Sequence, residues 1–533
     1  MAERIILLSG AISSGKSRLG QALASRDGAA IFRTRDVLQR RVGPDAALDR
    51  RALQAEGDRL DRETNHMWVL EGFKRWYEET ERPPTSVVDS VRTIRQVQSF
   101  RFEYGPRVIH VHLTAPPEEL EERYNRRLQT AGGKRYTFSE VRANPTEDHI
   151  EELSTVADLV VNTKRCTPED VLTRTSSHLG ARHNAGRGYV DVVVGGQYGS
   201  EGKGQIVDYL SREYDLLIRV GGPNAGHSVF REMSPYVYHH LPSGTLTSSA
   251  QLLIGPGSVL RVPTLLQEIE ECNVQPGRLT IDGGAMTISD EDIAAEKRLV
   301  ATIGSTGQGV GAAASRRIMG RGESVILAKD VPELRKYVGS AQVVLQTTFS
   351  RGGRALLEGT QGTGLSLYHG SYPHVTSRDT SVVGCLSEAG IPTSRVRRIV
   401  MVCRTYPIRV ESPSTGDSGP MREITYEELA RRSGIDEAEL RGAEKTSTTH
   451  RQRRLGEFEW DQLQRAAGLN APTDLAITFA DYIDKRNRQA HRFEQLTVET
   501  INFIQEVERV TGTPASLIAT GFSNRSVIDR RAW

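Results

Sequence analysis

Disulfides do not hold this chain together. Its 533 residues include only four cysteines, Cys166, Cys272, Cys385 and Cys403. They are too far apart for a metal-binding pair or a stapled framework, and they read as reduced thiols of a cytosolic protein. Long apolar runs are missing too. The run Ile5-Ile6-Leu7-Leu8 is short and Gly10 follows at once, so it reads as a buried strand rather than a signal peptide, and no run approaches the length of a membrane span. An excess of charge of one sign is also absent. Sixty-nine Lys and Arg against 67 Asp and Glu leave a net +2, which gives no reason to expect direct nucleic-acid or membrane binding. What remains, 37% hydrophobic and 26% charged, is ordinary soluble globular material, long enough for two or more domains.

The sequence starts twice. Residue 4 opens a pattern of apolar strand, glycine loop and helix, and Tyr189-Val190-Asp191-Val192-Val193-Val194 opens the same pattern again. Between them, Thr175 to Gly188 is polar and glycine-bearing, a linker composition. The loops differ, so this is no internal repeat. The expectation is two α/β domains in series, 1–180 and 188–533.

In the first domain, Gly10-Ala11-Ile12-Ser13-Ser14-Gly15-Lys16-Ser17 fits the phosphate-loop pattern completely. An apolar strand precedes it and a helical stretch follows. Backbone N–H groups at that helix start can cradle phosphates, Lys16 can reach the outer phosphates, and Ser17 can ligate magnesium. Asp36 follows the second strand, Asp89 ends another with Arg92 close behind, and Val156 to Asn162 reads as the last strand. Glu118 to Arg127 reads either as a solvated helix face or as a lid, and Asp89 either as a simple strand-end carboxylate or as part of the site. This layout resembles nucleoside-monophosphate and deoxynucleotide kinases. The resemblance implies a three-layer P-loop fold, with the arginines after the third strand closing over the transferring phosphoryl group.

The second domain carries a longer series of motifs. Gly195-Gly196-Gln197-Tyr198-Gly199-Ser200-Glu201-Gly202-Lys203-Gly204 is followed by Gly221-Gly222-Pro223-Asn224-Ala225-Gly226-His227. Then come Gly304-Ser305-Thr306-Gly307-Gln308-Gly309, Glu358-Gly359-Thr360-Gln361-Gly362, Tyr372-Pro373-His374-Val375-Thr376 and Ser447-Thr448-Thr449-His450-Arg451-Gln452-Arg453. Ala519-Thr520-Gly521 closes the series. In this order they resemble the adenylosuccinate synthetase family along nearly all of 189–533. The resemblance implies an α/β ligase that joins L-aspartate to the 6-position of a purine nucleoside monophosphate. A nucleoside triphosphate first phosphorylates the 6-oxo group, with magnesium, and the aspartate amine then displaces phosphate. It implies that His227 is the acid at the 6-oxygen, and that Lys203 with Gly199, Gly202 and Gly204 holds the γ-phosphate. Gly226 would offer its carbonyl to magnesium. Asn224, Ala225, Thr306, Gln361, Thr376, Asp481 and Gly521 would line the nucleotide sites. Thr448, Thr449, Arg451 and Arg453 would engage the aspartate, since guanidinium forks suit carboxylates. A homodimer is also implied.

Three positions depart from the family. Ser200 stands where the family carries an aspartate that is both general base and magnesium ligand, and a hydroxyl is poor at both. Three readings follow. The domain is inactive, a nucleotide-binding or sensing module; or another base such as Glu201 serves; or the substrate differs. A smaller hydroxyl makes room for the 2-amino group of guanine, as in the phage-type branch that makes succino-2-amino-deoxyadenylate from dGMP. Phe479 replaces the lysine that, with Asp481, selects GTP, which makes ATP an alternative donor, since Phe can stack on any base. Gln308 replaces an arginine, and Arg316, Arg317 and Arg321 are the nearby candidates for its charge.

Overall fold

The computed structural model describes residues 4–43, 49–128, 136–144, 147, 149–178, 188–231, 234–322, 325–413, 415–446 and 451–531. The chain divides into two compact units, Met1–Arg182 and His183–Trp533.

The N-terminal unit is built on a five-stranded parallel sheet. Its strands are β1 (Arg4–Ser9), β2 (Ala30–Arg33), β3 (Thr85–Asp89), β4 (Val108–Thr114) and β5 (Leu159–Asn162), in the order β2-β3-β1-β4-β5. Both faces are covered, which is why the strands read as unbroken apolar runs. Ile5 and Leu7 of β1 belong to one core layer, Ile6 and Leu8 to the other. Helix α1 (Lys16–Asp27) leaves the loop after β1. Two details differ from the sequence reading. Ile150–Val156 is a 3-10 helix, and β5 begins only at Leu159, because Asp158 turns its carboxylate back onto the His110 N–H at 2.7 Å. Thr175 to His178, expected in a linker, end the helix Pro168–His178, with Thr175 and Ser176 buried. Its start is marked by Pro168, by two acids, and by the Asp170 N–H donating to Thr167 Oγ1 at 3.1 Å. Residues 179–187 lie outside the described residues.

The C-terminal unit is built on a ten-stranded sheet. Along it lie Val338–Gly339, Leu279–Asp282, Gln251–Ile254, Leu216–Arg219, Arg354–Glu358, Tyr189–Gly195, Val396–Arg404, Asp474–Thr478, Ala515–Ala519 and Val527–Asp529. Every pairing is parallel except the last. Val190, Val192 and Val194 feed the core on one face and Val193 the core on the other. Charged residues close three central strands, Arg219, Glu358 and Arg404, all buried. They gather where parallel strands end, the place such sheets offer to ligands.

Candidate active sites

In the C-terminal unit, the loop between Tyr189–Gly195 and the helix Lys203–Leu210 turns through three left-handed residues, Gly199 (φ 89°), Ser200 (φ 53°) and Gly202 (φ 87°). Such a path turns successive N–H groups toward a helix start, a cradle for phosphate. Ser200 is exposed. Glu201 is fully buried. It accepts from the N–H groups of Gln197 (3.1 Å) and Gly199 (2.9 Å) and from Lys203 Nζ (2.5 Å). A Cβ on Gly362 would fall 2.2 Å from its Oε1, so glycine there makes the space the carboxylate fills. Glu201 therefore shapes the loop and anchors Lys203. These enclosed and committed oxygens weigh against the reading in which it serves as the base.

His227 begins the hairpin His227–Arg231/Ser234–Tyr238 and packs against the helix start, where a Cβ on Gly204 would lie 3.0 Å from its own Cβ. Its Nδ1 lies 2.5 Å from Glu358 Oε1. Glu358 also accepts from Arg219 Nη1 (3.2 Å), from the Ser243 N–H (2.8 Å) and from Ser243 Oγ (2.5 Å). Burial alone would push this carboxyl up, but Arg219 and His227 together hold it at about 2. It is ionised, so Nδ1 carries the hydrogen of the His227–Glu358 bond and Nε2 is left to act. Burial first, then Arg219, lowers His227 itself to about 4, against the pull of Glu358. Arg219 further donates to the carbonyls of Ala225 (2.9 Å) and Tyr238 (3.3 Å), fixing the Asn224–His227 turn. Asn224 Oδ1 is buried without a partner among the described residues, an acceptor awaiting a donor.

Arg404 is fully buried beside the loop. It donates to the Ser200 carbonyl at 3.3 Å, pairs with Glu444, and lays its guanidinium 3.9 Å over the Phe479 ring. Glu444 also accepts from Tyr482 (2.9 Å) and Arg453 Nη1 (3.2 Å). Burial opposes ionisation of Glu444, yet Arg404 and Arg453 hold it at about 2. One expectation changes. Phe479 is not an open stacking platform, because Arg404 covers one face while Tyr482 and Phe522 meet the ring edge-on at 5.0 and 5.4 Å. Arg453 is tied to Glu444 while Arg451 is exposed. Thr448 and Thr449 lie outside the described residues. Asp481 is buried, pushed up to about 6 by that burial against the pull of Arg488, whose Nε lies 3.0 Å away. Gln361 is buried at φ 59°, and Gly521 offers its carbonyl to Gln205 at 2.8 Å. Thr306 and Thr376 are half-buried on adjoining segments, since a Cβ on Gly311 would lie 3.2 Å from Ser377 Cβ. The arginines near Gln308 serve internal contacts: Arg316 pairs with Asp292, Arg317 donates to the Pro256 carbonyl and Arg321 to that of Ile318.

In the N-terminal unit the phosphate loop closes on itself, with Lys16 Nζ donating to the carbonyls of Gly10 (2.6 Å) and Ala11 (2.9 Å). Gly10 sits at φ 133°, where a Cβ would lie 2.1 Å from the Leu113 carbonyl oxygen. The hydroxyls of Ser13 and Ser14 are buried without partners among the described residues, and Ser17 is exposed at the helix start beside the left-handed Gly15. The loop opens into a cavity of about 1180 Å³ that Asp89, Arg92, Arg123, Arg126 and Arg127 also line. Asp36 does not line it. It stands in the first turn of helix α2 (Thr34–Val42), while Arg33, Thr34 and Arg35 face the cavity.

Among the described residues, no cluster of three or more His, Cys, Asp or Glu could hold a metal ion, and no helix is long and apolar enough to cross a membrane. Both loops instead suit magnesium that arrives on phosphates and takes one or two protein oxygens. Residue-by-residue reading had not singled out Glu358, Arg219, Arg404 and Glu444. The first two were signalled by a charge ending an apolar strand: Leu-Leu-Glu and Leu-Ile-Arg lie side by side, with Glu358 in register with Arg219.

Comparison with known proteins adds the following. The adenylosuccinate synthetase profile matches residues 192–331 and 327–488, and an AAA domain profile matches 6–147. Adenylosuccinate synthetase of Thermococcus sibiricus is 36% identical over 349 residues, covering 64% of this chain and 98% of that protein. That of Pyrococcus horikoshii is 35% identical over 349 residues, with the same coverage of both chains. The fully ligated adenylosuccinate synthetase of Plasmodium falciparum shares the fold, at TM-score 0.56 and 22% identity over 64% of this chain and all of its own. The cyanophage S-2L succinoaminodeoxyadenylate synthetase, bound to dGMP and to dATP as an energy donor, matches at TM-score 0.55 and 27% identity over 64% of this chain and 96% of its own.

Proposed function

The chain belongs to the adenylosuccinate synthetase family and is a carbon–nitrogen ligase, and from that premise we propose that its C-terminal unit joins L-aspartate to the 6-position of a guanine nucleotide, dGMP or GMP, with ATP as phosphate donor. The observation that carries this reading is Ser200. A small, exposed side chain stands on the phosphate loop where the family's base would be, and Glu201 beside it is sealed in the loop. A carboxylate at that place faces the ring nitrogen beside the 6-oxo group. A hydroxyl leaves room for the neighbouring 2-amino group and can accept a hydrogen bond from it. The cyanophage enzyme that binds dGMP and dATP is 27% identical.

The residues divide the work as follows. The loop N–H groups and Lys203 hold the γ-phosphate. His227, oriented through Nδ1 by Glu358, presents Nε2 to the 6-oxygen and stabilises its charge. Gly226 and Ser200 would offer oxygens to magnesium, which when bound neutralises phosphate charge. In the ternary complex, neither Ser200 nor Glu201 can take the ring proton, so it passes to the triphosphate. Arg451 and Arg453 receive the aspartate carboxylates, Arg453 by exchanging Glu444 for substrate. Arg404 on Phe479 replaces a lysine-based guanine reader, which favours ATP over GTP. A homodimer belongs to the same reading. The N-terminal unit is a nucleotide kinase, with Lys16 on the donor phosphates and Ser17 toward magnesium.

A second reading has its own support. The archaeal relatives, at 35–36% identity, are adenylosuccinate synthetases, and IMP is then the acceptor. Ser200→Asp separates the two. The guanine reading expects kcat/KM for dGMP to fall at least tenfold relative to IMP. An unchanged ratio would sink it.

A further inference from the structure

We propose that the N-terminal unit carries a one-proton switch behind its phosphate loop. Ser9, His110, His112 and Glu151 form a hydrogen-bonded chain that is complete only when it holds one proton more than its neutral rings and hydroxyl bring. Completing it fastens the 3-10 helix Ile150–Val156 to the strands that carry the loop.

The chain crosses three elements. Ser9 ends β1, His110 and His112 lie on one face of β4, and all three side chains are fully buried. Ser9 and His112 are in register across the two strands. Ser9 Oγ lies between the rings, 2.6 Å from His110 Nε2 and 2.9 Å from His112 Nδ1. At one end, His110 Nδ1 faces the Val156 carbonyl at 3.4 Å. At the other, His112 Nε2 faces Glu151 Oε2 at 3.3 Å, an oxygen that also accepts from Thr114 Oγ1 at 3.1 Å.

The hydrogens of the neutral groups do not suffice. Four links join Val156, His110, Ser9, His112 and Glu151, and each link needs one hydrogen. The two ends, a carbonyl and a carboxylate, only accept. Two neutral imidazoles and one hydroxyl bring one hydrogen each. However these three are arranged, one link sets two acceptors face to face. A fourth hydrogen satisfies every link at once.

The surrounding charges say where it sits. Arg101, on the helix Ile94–Tyr104, donates to the Val156 carbonyl at 2.8 Å and pairs with Asp158 at 3.0 Å. Asp158 in turn accepts from the His110 N–H at 2.7 Å. Burial first, against the pull of the Val156 carbonyl, holds the His110 ring at about 4. His110 is therefore neutral, with its hydrogen on Nδ1 toward Val156. Glu151 is the ionised end, its carboxyl lowered first by the hydrogen bond from His112 and, more weakly, by Arg142. The added proton belongs to His112, which then donates to Ser9 on one side and to Glu151 on the other. Ser9 passes its own hydrogen to His110 Nε2.

The same contacts show what the proton controls. Glu151 and Val156, the two ends of the chain, are both on the 3-10 helix. Glu147, just ahead of that helix, pairs with Arg92 at 2.6 Å and is one of the charges acting on Lys16. Ser9 precedes Gly10, whose carbonyl accepts from Lys16 Nζ at 2.6 Å. With the proton in place, the helix is bound to β4 at both ends. Without it, one link becomes a repulsion and the helix loosens behind the phosphate loop. Imidazoles change charge within the physiological range. The fastened form holds the extra proton, so fastening is present at lower pH and is lost as pH rises.

The test is amide exchange of the full chain, read by mass on peptides covering 150–156 and corrected for the intrinsic effect of pH on exchange. Peptides covering Tyr189–Gly195 serve as the reference. The proposal expects protection of 150–156 to fall at least tenfold from pH 6 to pH 9 while the reference holds. Protection unchanged over that range would overturn it. Glu151→Gln, at a half-buried position, separates a proton switch from a mere contact. Its amide can donate to His112 Nε2, and the three hydrogens of the neutral chain then complete every link toward Val156. This variant should keep at pH 9 the protection it has at pH 6. Persistence of the wild-type pH dependence, or loss of protection at every pH, would overturn the switch. If the variant fails to fold, nitrogen-15 shifts of the wild-type histidine rings, assigned with His112→Asn, decide. A His112 ring that is cationic at pH 6 and neutral at pH 9 is expected, and one charge state throughout would overturn the proposal.

Discussion

His227 is pulled in opposite directions. Burial and Arg219 hold it near 4 against an ordinary 6.5, while the Glu358 carboxylate 2.5 Å away favours the charged ring. Neutral at pH 7 in the empty site, it can stabilise developing negative charge at the 6-oxygen only through a proton on Nε2. A nucleotide phosphate brought to the adjoining loop adds negative charge and raises its affinity for that proton. Nucleotide binding at pH 7 is therefore expected to take up a proton. Calorimetry in two buffers of different ionisation enthalpy would show it, and identical heats would contradict it. His227→Asn should lower kcat by about 10²–10⁴-fold, the ordinary range for a lost acid–base group. At this scale the sequence was only partly readable. The glycine loops and Asn-Ala-Gly-His announce themselves by type and order. Glu201 was one of the open readings for the base, and that its oxygens are committed to the loop could not be read in advance, because burial is a property of the folded chain and not of a motif.

The strand Val396–Arg404 ends in a cation that reaches the Ser200 carbonyl, the Phe479 ring and Glu444. It thereby links the phosphate loop to the segments expected to hold the donor base and the aspartate. Removing one partner from such a buried pair leaves an uncompensated charge. Glu444→Gln is expected to cost about 3–5 kcal/mol, seen as a lower midpoint in denaturant. Its acid behaviour follows from the depressed carboxyl. Glu444 titrates at about 2 when folded against an ordinary 4.5, so its contribution is complete above 4.5 and is lost as pH falls toward 2. The variant should lose less stability across that window than the wild type, and equal slopes would contradict the pairing. Most elements were legible because the strands are buried on both faces and read as apolar runs. The helix Pro168–His178 was read short because its buried Thr175 and Ser176 carry a loop-like composition. Arg404 and Glu444 are 40 residues apart in sequence, and no local pattern pairs them.

At the scale of the whole molecule, a ligase unit matching its family over 192–488 shares one chain with a P-loop unit that holds its own cavity. One unit is a carbon–nitrogen ligase, read as acting on a purine monophosphate, and the other is read as a nucleotide kinase, so consecutive steps on one nucleotide are the economical account of their fusion. The central claim is the guanine nucleotide at Ser200. The most direct measurement is a mass-spectrometric product assay of the full chain with L-aspartate and magnesium, offering dGMP, GMP and IMP with ATP or GTP. The account predicts a succinyl adduct on a guanine nucleotide, formed faster with ATP than with GTP and seen as the mono- or diphosphate. An adduct on IMP with none on either guanine nucleotide would contradict it.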